Sequence, residues 1–134
     1  MKKVLVIEDT GHIAMALQTL ITFEGHQAIV AASAAEGYAL TLETCPDLIV
    51  MDIVLPDDDG LELTRRIRAT PDIQQPPIIC VSSYARGIEA EALTAGCDEV
   101  FSKTTFMVNY EETLKKYLGS GLGSSELAVQ PPLL

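Results

Sequence analysis

Six polar residues draw attention by type and placement: Glu8 and Asp9, Asp52, Ser82 and Ser83, and Lys103. Each closes or follows a short apolar run, and the stretch LIVMDIVLPDDDG carries its run straight into Asp52. A buried strand gains nothing from a terminal charge, and removing a carboxylate from water is costly unless something compensates it. Two carboxylates 4 Å apart repel by about 4 kcal/mol at an effective dielectric of 20. A fold that gathers Glu8, Asp9 and Asp52 therefore needs a cation among them. Hard carboxylate oxygens with open positions suit Mg²⁺, which keeps several waters and takes one or two carboxylates. The motif has no thiol or imidazole to favour zinc. A divalent ion beside a carboxylate, a hydroxyl and an amine equips a site for phosphoryl transfer. The carboxylate is the nucleophile, and the cations neutralise charge on the transferring oxygens. Asp52 is the candidate for the phosphorylated residue.

Such a site requires that distant residues converge. KVLVI (Lys3–Ile7), QAIVA (Gln27–Ala31), DLIVM (Asp47–Met51), PIICV (Pro77–Val81) and EVF (Glu99–Phe101) have the composition of strands. Val and Ile dominate most of them without polar alternation, as a parallel sheet buried on both faces demands. Helical patterns lie between. Ile13, Leu17, Leu20 and Ile21 share one helix face. SAAE (Ser33–Glu36) is a capping-box signature. A third helix follows Asp59 with Leu61, Leu63 and Ile67, and a fourth covers about 86–95 before Gly96. The last aligns Phe106, Tyr110, Leu114, Tyr117 and Leu118 and stops at Gly119. Regular alternation of strand and helix means an α/β domain with a parallel sheet and right-handed crossovers. Ligands of such sheets bind outside the carboxyl ends of the strands, which is where the six polar residues fall. Singly, each has a plain explanation: Glu8-Asp9 as a helix cap, Ser82 as a turn residue, Lys103 as a solvated charge. Their convergence does not.

The 134 residues suit one compact domain, and an apolar fraction of 48% is enough for a core. No window approaches the roughly 20 apolar residues of a membrane span. The start MKKVLVIED is too short in its apolar part for a signal peptide, so a cytoplasmic location and no membrane contact are expected. A net charge of −10 argues against nucleic acid, which needs basic patches, and favours cations or basic surfaces as partners. Cys45, Cys80 and Cys97 lack the count and spacing of a disulfide framework or zinc site, so all three are expected to be reduced. His12 and His26 fall away from the strand ends, in surface or helix-facing roles. Residues 119–134, rich in Gly, Ser and Pro, are expected to form a flexible tail or a linker stub.

VLVIEDT, PDLIVMDIVLPDDDGLEL, PPIICVSS and AGCDEVFSK, in that order and spacing, resemble the receiver domain of two-component response regulators. The resemblance covers about residues 2–118. It implies a doubly wound, flavodoxin-like five-stranded parallel sheet in order 2-1-3-4-5, with helices on both faces. It implies that Asp52 accepts a phosphoryl group from a histidine kinase or phosphotransfer protein. Asp9 would bind Mg²⁺ directly and Glu8 through water, with Asp52 and the Val54 backbone carbonyl completing the protein ligands. Ser82 would hydrogen-bond the phosphoryl group and Lys103 would pair with it. The domain would catalyse both its own phosphorylation and the slower hydrolysis, and would signal to a protein target on its helix 4–strand 5–helix 5 face.

Two positions depart from the family pattern. Thr104 follows Lys103 where the family has proline, often after a cis bond. A cis bond before a non-proline residue costs about 2.5–4 kcal/mol, so a trans peptide and a shifted loop are expected. The reporting aromatic three residues before the lysine is replaced by Val100, and Phe101 should face the opposite side. Tyr84, two residues after Ser82, is a candidate to stand over the site instead.

Three other readings compete. A hydrolase with an aspartyl-phosphate intermediate, of haloacid-dehalogenase type, wants a second acid two residues after the nucleophile, where this chain has Val54. A nucleotide enzyme wants a glycine-rich phosphate loop after a strand, and none is present. An unphosphorylated receiver-like binding module is the third, but binding alone has no need of Glu8, Asp9, Asp52, Ser82 and Lys103 together.

Overall fold

The computed structural model describes residues 1–83 and 87–119. Its strands are β1 (Lys3–Ile7), β2 (Gln27–Ala31), β3 (Leu48–Asp52), β4 (Ile78–Ser82) and β5 (Glu99–Ser102). Its helices are α1 (Gly11–Phe23), α2 (Ala34–Thr44), α3 (Gly60–Arg68), α4 (Glu89–Ala95) and α5 (Lys103–Leu118). The strands form one sheet in the order β2-β1-β3-β4-β5, and every neighbouring pair is parallel. Fold class and strand order agree with the sequence expectation.

Strand side chains alternate between two cores. Leu5, Ile7, Ile49, Met51, Ile78 and Cys80 pack with α3 and α4 residues such as Leu63, Ile67 and Ala92. Val4, Val6, Leu48, Val50, Ile79 and Val81 pack on the other face with Leu17, Ile21, Phe106 and Leu114 from α1 and α5. This explains the strands' unbroken hydrophobicity: both faces are covered, so neither register position can be polar. Val100 packs with the first core and Phe101 with the second, on opposite faces as strand alternation requires.

Local signals account for most helix ends. Ser33 Oγ accepts the Glu36 N–H at 3.1 Å, while Glu36 Oε1 accepts from Ala32 N at 2.8 Å, one residue before the cap. Asp57 reaches over from the β3–α3 connection to accept the N–H groups of Ala34 and Ala35 at 2.8 and 3.0 Å. Those two bonds at a helix amino end hold its carboxyl below the usual range. α4 begins at Glu89, later than the sequence pattern suggested, because Gly87 turns the chain with φ of 89°. Gly96, with φ of 119°, ends it.

The cysteine expectation needs correction. The structure joins Cys80 of β4 to Cys97 in the turn before β5, with Cα atoms 6.5 Å apart, and leaves Cys45 free and exposed. The two lie 17 residues apart in sequence, so only the adjacency of β4 and β5 brings them together. His26 is buried rather than on the surface, its Nδ1 accepting the Lys2 N–H at 3.3 Å. Among the described residues no helix is long and apolar enough to cross a membrane.

Candidate functional site

Parallel strands place all their carboxyl ends on one edge of the sheet, and register sets which residues meet there. Ile7 pairs with Met51, so Glu8 stands beside Asp52. Asp52 pairs with Val81, and Ser82 pairs with Ser102, which puts Lys103 at the same level. β3 and β4 each end one residue later than their sequence patterns suggested. Asp52 and Ser82 are therefore the last ladder residues, fixed by strand hydrogen bonding rather than carried on a loop. The six residues singled out by type converge as expected. Asp9, Asp52, Ser82, Ser83 and Lys103 line one open cleft together with Thr10 and Val54, and Glu8 lies beneath it.

Burial divides the set. Glu8 and Asp52 are 2% and 5% exposed, and Ser82 is similarly buried, whereas Asp9 is open to solvent. Val54 is 64% exposed at the cleft mouth. Lys103 Nζ lies 3.1 Å from Asp52 Oδ2 and 3.3 Å from Glu8 Oε1. The Val54 N–H donates to Asp52 Oδ1 at 3.1 Å, and the Thr10 N–H to Glu8 Oε2 at 3.1 Å. Glu8 Oε1, close to the lysine but not aligned for a hydrogen bond, is the buried side-chain oxygen left without one among the described residues. Burial, reinforced by the negative charge of Asp52, raises the Glu8 carboxyl above its usual range. Burial works against the Lys103 ammonium, but its bond to Asp52 and the two nearby carboxylates outweigh that, and its pKa is raised.

Glu8, Asp9 and Asp52 offer oxygens that all lie within 4.8 Å of one another. Among the described residues one cation, Lys103, faces these carboxylates, and one buried oxygen lacks a hydrogen bond. Hard donors at this spacing, under-compensated in charge, fit a magnesium-sized divalent ion. The capping explanation for Glu8-Asp9 accounts for only part of the pair: Thr10 occupies the cap position of α1 with no cap bond from its own side chain, and Glu8 Oε2 takes the Thr10 N–H, which leaves Glu8 Oε1 and Asp9 without a capping role.

Sequence reasoning missed Gly60. A Cβ there would lie 2.8 Å from Ile53 Cα and closer still to the Asp52 carbonyl oxygen. The Gly60 N–H donates to Ile53 O at 2.6 Å. The absence of a side chain lets the β3–α3 connection fold back against the strand end that carries Asp52. The glycine closing the acidic run PDDDG was the available signal.

The departures resolve as follows. No cis peptide occurs among the described residues, so Lys103–Thr104 is trans. In place of a shifted loop there is none, because α5 starts at Lys103 itself. Tyr84 lies outside the described residues.

Comparisons with known proteins agree with this geometry. Residues 4–115 match the family described as response regulator receiver domain. The polar-differentiation response regulator DivK of Brucella ovis is 34% identical over 119 residues, covering 88% of this chain and 97% of that protein. DivK of Brucella anthropi is similar to the same extent. Among solved structures, the receiver domain of a Pseudomonas aeruginosa sensor histidine kinase, with a magnesium ion coordinated in its active-site cleft, superposes with a TM-score of 0.79. It is 25% identical, over 89% of this chain and 98% of that one. A two-component response regulator from Clostridium difficile shares the fold, with a TM-score of 0.81, 23% identity and coverage of 88% and 96%. The chain belongs to the response regulator receiver domain family of two-component signalling.

Proposed function

We propose that residues 1–118 are a cytoplasmic, phosphorylation-dependent switch in which Asp52 accepts a phosphoryl group from a phosphohistidine of a histidine kinase or phosphotransfer protein. One observation carries the reading: a buried, ladder-anchored carboxylate, Asp52, shares its crevice with two further carboxylates and the Lys103 ammonium. α5 closes at Leu118, consistent with that boundary. Of the proposed tail, residues 119–134, all but Gly119 lie outside the described residues.

In the transfer, an Asp52 oxygen forms a bond to phosphorus while the P–N bond to the donor imidazole breaks, and the imidazole leaves with the electron pair. Glu8, Asp9, Asp52 and the Val54 carbonyl would hold Mg²⁺. Bound there, the ion supplies positive charge against the phosphoryl oxygens. The chain's own groups do the rest. The Val54 N–H orients one Asp52 oxygen, and the Lys103 ammonium beside the other is placed to follow charge onto a phosphoryl oxygen. Ser82, buried at the end of β4, would donate its hydroxyl to the same group. Hydrolysis would reset the switch, and the downstream target is a protein docking on α4, β5 and α5.

Incubation with a small phosphodonor such as acetyl phosphate, followed by intact mass, tests this. The native chain gains one phosphate only with Mg²⁺, and Asp52→Asn gains none. A native chain that gains nothing with Mg²⁺ present would point to the unphosphorylated binding module.

A further inference from the structure

Cys80 and Cys97 are joined through sulfur although 17 residues separate them. The proposed cytoplasmic setting keeps thiols reduced, and disulfides found there are mostly transient or sensing ones. The surroundings of this pair suit either state. Both residues are buried among core side chains, Cys80 at 0% and Cys97 at 5% exposed, where a free cysteine packs as a small hydrophobe. The Thr64 hydroxyl donates to Gly60 O at 2.9 Å and lies 3.8 Å from Cys97 Sγ. Its oxygen can accept a Cys97 S–H, so the thiol formed on reduction has an acceptor. Cys97 follows Gly96 in the turn that ends α4. That helix has seven residues, buries Ala92 and Ala95, and has no side-chain bond at its N-cap. A helix so short and lightly packed opens locally with ease, which gives a small oxidant a way to Cys97. The bond also spans a weak place in the sheet. Cys80 lies level with Val100 of β5, an edge strand of four half-buried residues. Asp98 holds the start of β5 non-covalently: its N–H donates to Ile78 O at 2.8 Å and its Oδ2 accepts the Ile78 N–H at 2.8 Å. Those bonds break whenever the edge lifts from β4, and the S–S bond does not.

We propose that Cys80 and Cys97 form a reversible redox site, a dithiol at rest and a disulfide after exposure to a peroxide, and that the disulfide staples β5 to β4. The inference rests on the cytoplasmic part of the reading above and not on its phosphate chemistry. The Cys97 thiolate attacks one peroxide oxygen, the O–O bond breaks and hydroxide leaves, giving a sulfenic acid. The Cys80 thiolate then attacks that sulfur, the S–O bond breaks and a second hydroxide leaves. The hydroxides take up the two thiol protons, so two thiols and one hydrogen peroxide become one disulfide and two waters. A dithiol reductant returns two electrons and two protons by thiol–disulfide exchange and is itself oxidised to a cyclic disulfide. The edge of the sheet that carries α4 and β5 thereby answers to oxidation, independently of charge at Asp52.

Cys45→Ser removes the exposed thiol and leaves the pair as the only cysteines. The folded protein is treated with dithiothreitol or hydrogen peroxide, quenched in acid, unfolded and labelled with N-ethylmaleimide, and the labels are counted by intact mass. Label number is read rather than total mass, because exposed Met15 also takes oxygen from peroxide. Two labels after reduction, none after peroxide and two again on re-reduction are expected, all without denaturant. The disulfide form should melt about 5 °C or more above the dithiol form, since a closed ring restricts the unfolded chain. Exchange of the β5 amides should be slower in it by about threefold or more. The inference is overturned by a pair that dithiothreitol opens only in denaturant, by two labels persisting after peroxide, or by two forms that match in melting temperature or in β5 exchange. Cys97→Ala should lose both peroxide responses, and keeping either would also overturn it. Should that variant not fold, the two redox states of one sequence still decide the matter. Phosphate uptake with Mg²⁺, measured on both forms, bears on the phosphorylation reading alone.

Discussion

The two edges of the sheet treat their charges in opposite ways. At the amino edge every prominent polar group is matched. Asp98 Oδ2 accepts from Ile78 N at 2.8 Å and from Arg68 Nη2 at 3.1 Å. Arg68 also donates Nε to Gly96 O at 2.9 Å and Nη1 to Pro76 O and Gln75 Oε1 at 2.7 and 2.8 Å. Asp47 Oδ2 accepts the Lys3 N–H at 2.8 Å, and Lys3 Nζ donates to Thr44 O at 2.6 Å. At the carboxyl edge, among the described residues, three carboxylates crowd one lysine, and a buried Glu8 oxygen has no hydrogen bond. Polar groups at the amino edge stitch α3, α4 and the strand starts together and so serve stability. Those described at the carboxyl edge carry more negative than positive charge, a cost that a bound cation relieves.

Four substitutions sharpen or break that contrast. The largest effect is expected from Arg68→Ala, which strips donors from Gly96, Pro76 and Asp98. Chemical denaturation should show a loss of about 2–4 kcal/mol with phosphate uptake by the folded protein unchanged. A loss below about 0.5 kcal/mol would mean that the amino edge is not the stabilising one. Gly60→Ala drives a methyl group into the backbone of Ile53 and Asp52. It should cost about 1–3 kcal/mol and also slow phosphate uptake, since the strand end itself must shift.

Glu8→Gln should act in the opposite direction. A carboxyl whose folded pKa is raised above its unfolded value loses stability as pH rises through the folded value. At neutral pH the Glu8 charge therefore opposes folding. Without metal the variant should melt higher, by the equivalent of about 1 kcal/mol, and should lose most of the stabilisation that Mg²⁺ gives the native chain. A lower melting temperature would show that Lys103 already compensates this carboxylate. The smallest effect belongs to His26, whose pKa burial and the nearby amino terminus hold below 6.5. The unfolded chain takes up that proton first, so stability is full above about 6.5 and declines as pH falls through that value towards the folded one. His26→Gln should flatten that part of the stability–pH curve.

Much of this molecule was legible in one dimension. Runs such as LIVM and IICV cannot be solvated, and with helical patterns between them they admit few arrangements other than a covered parallel sheet. Because parallel strands share one carboxyl edge, the residues after each run had to meet, and Glu8, Asp9, Asp52, Ser82 and Lys103 do. Spacing along the chain, however, carries no information about contacts between elements. Cys80 and Cys97, Asp57 at the start of α2, the four-way reach of Arg68 and the space beneath Gly60 all depend on which surfaces face each other once the helices dock. The missing β5–α5 loop belongs with them. Thr104 removed the reason for a proline-shaped turn, but only packing of Phe106 and Leu114, with Glu99 clamped to the last helical turn, made the strand pass directly into the helix. Local chemistry thus determined which groups lie at the site. Long-range packing decided how Lys103 is held, because side-chain contacts between distant elements exist only when the whole sheet is assembled.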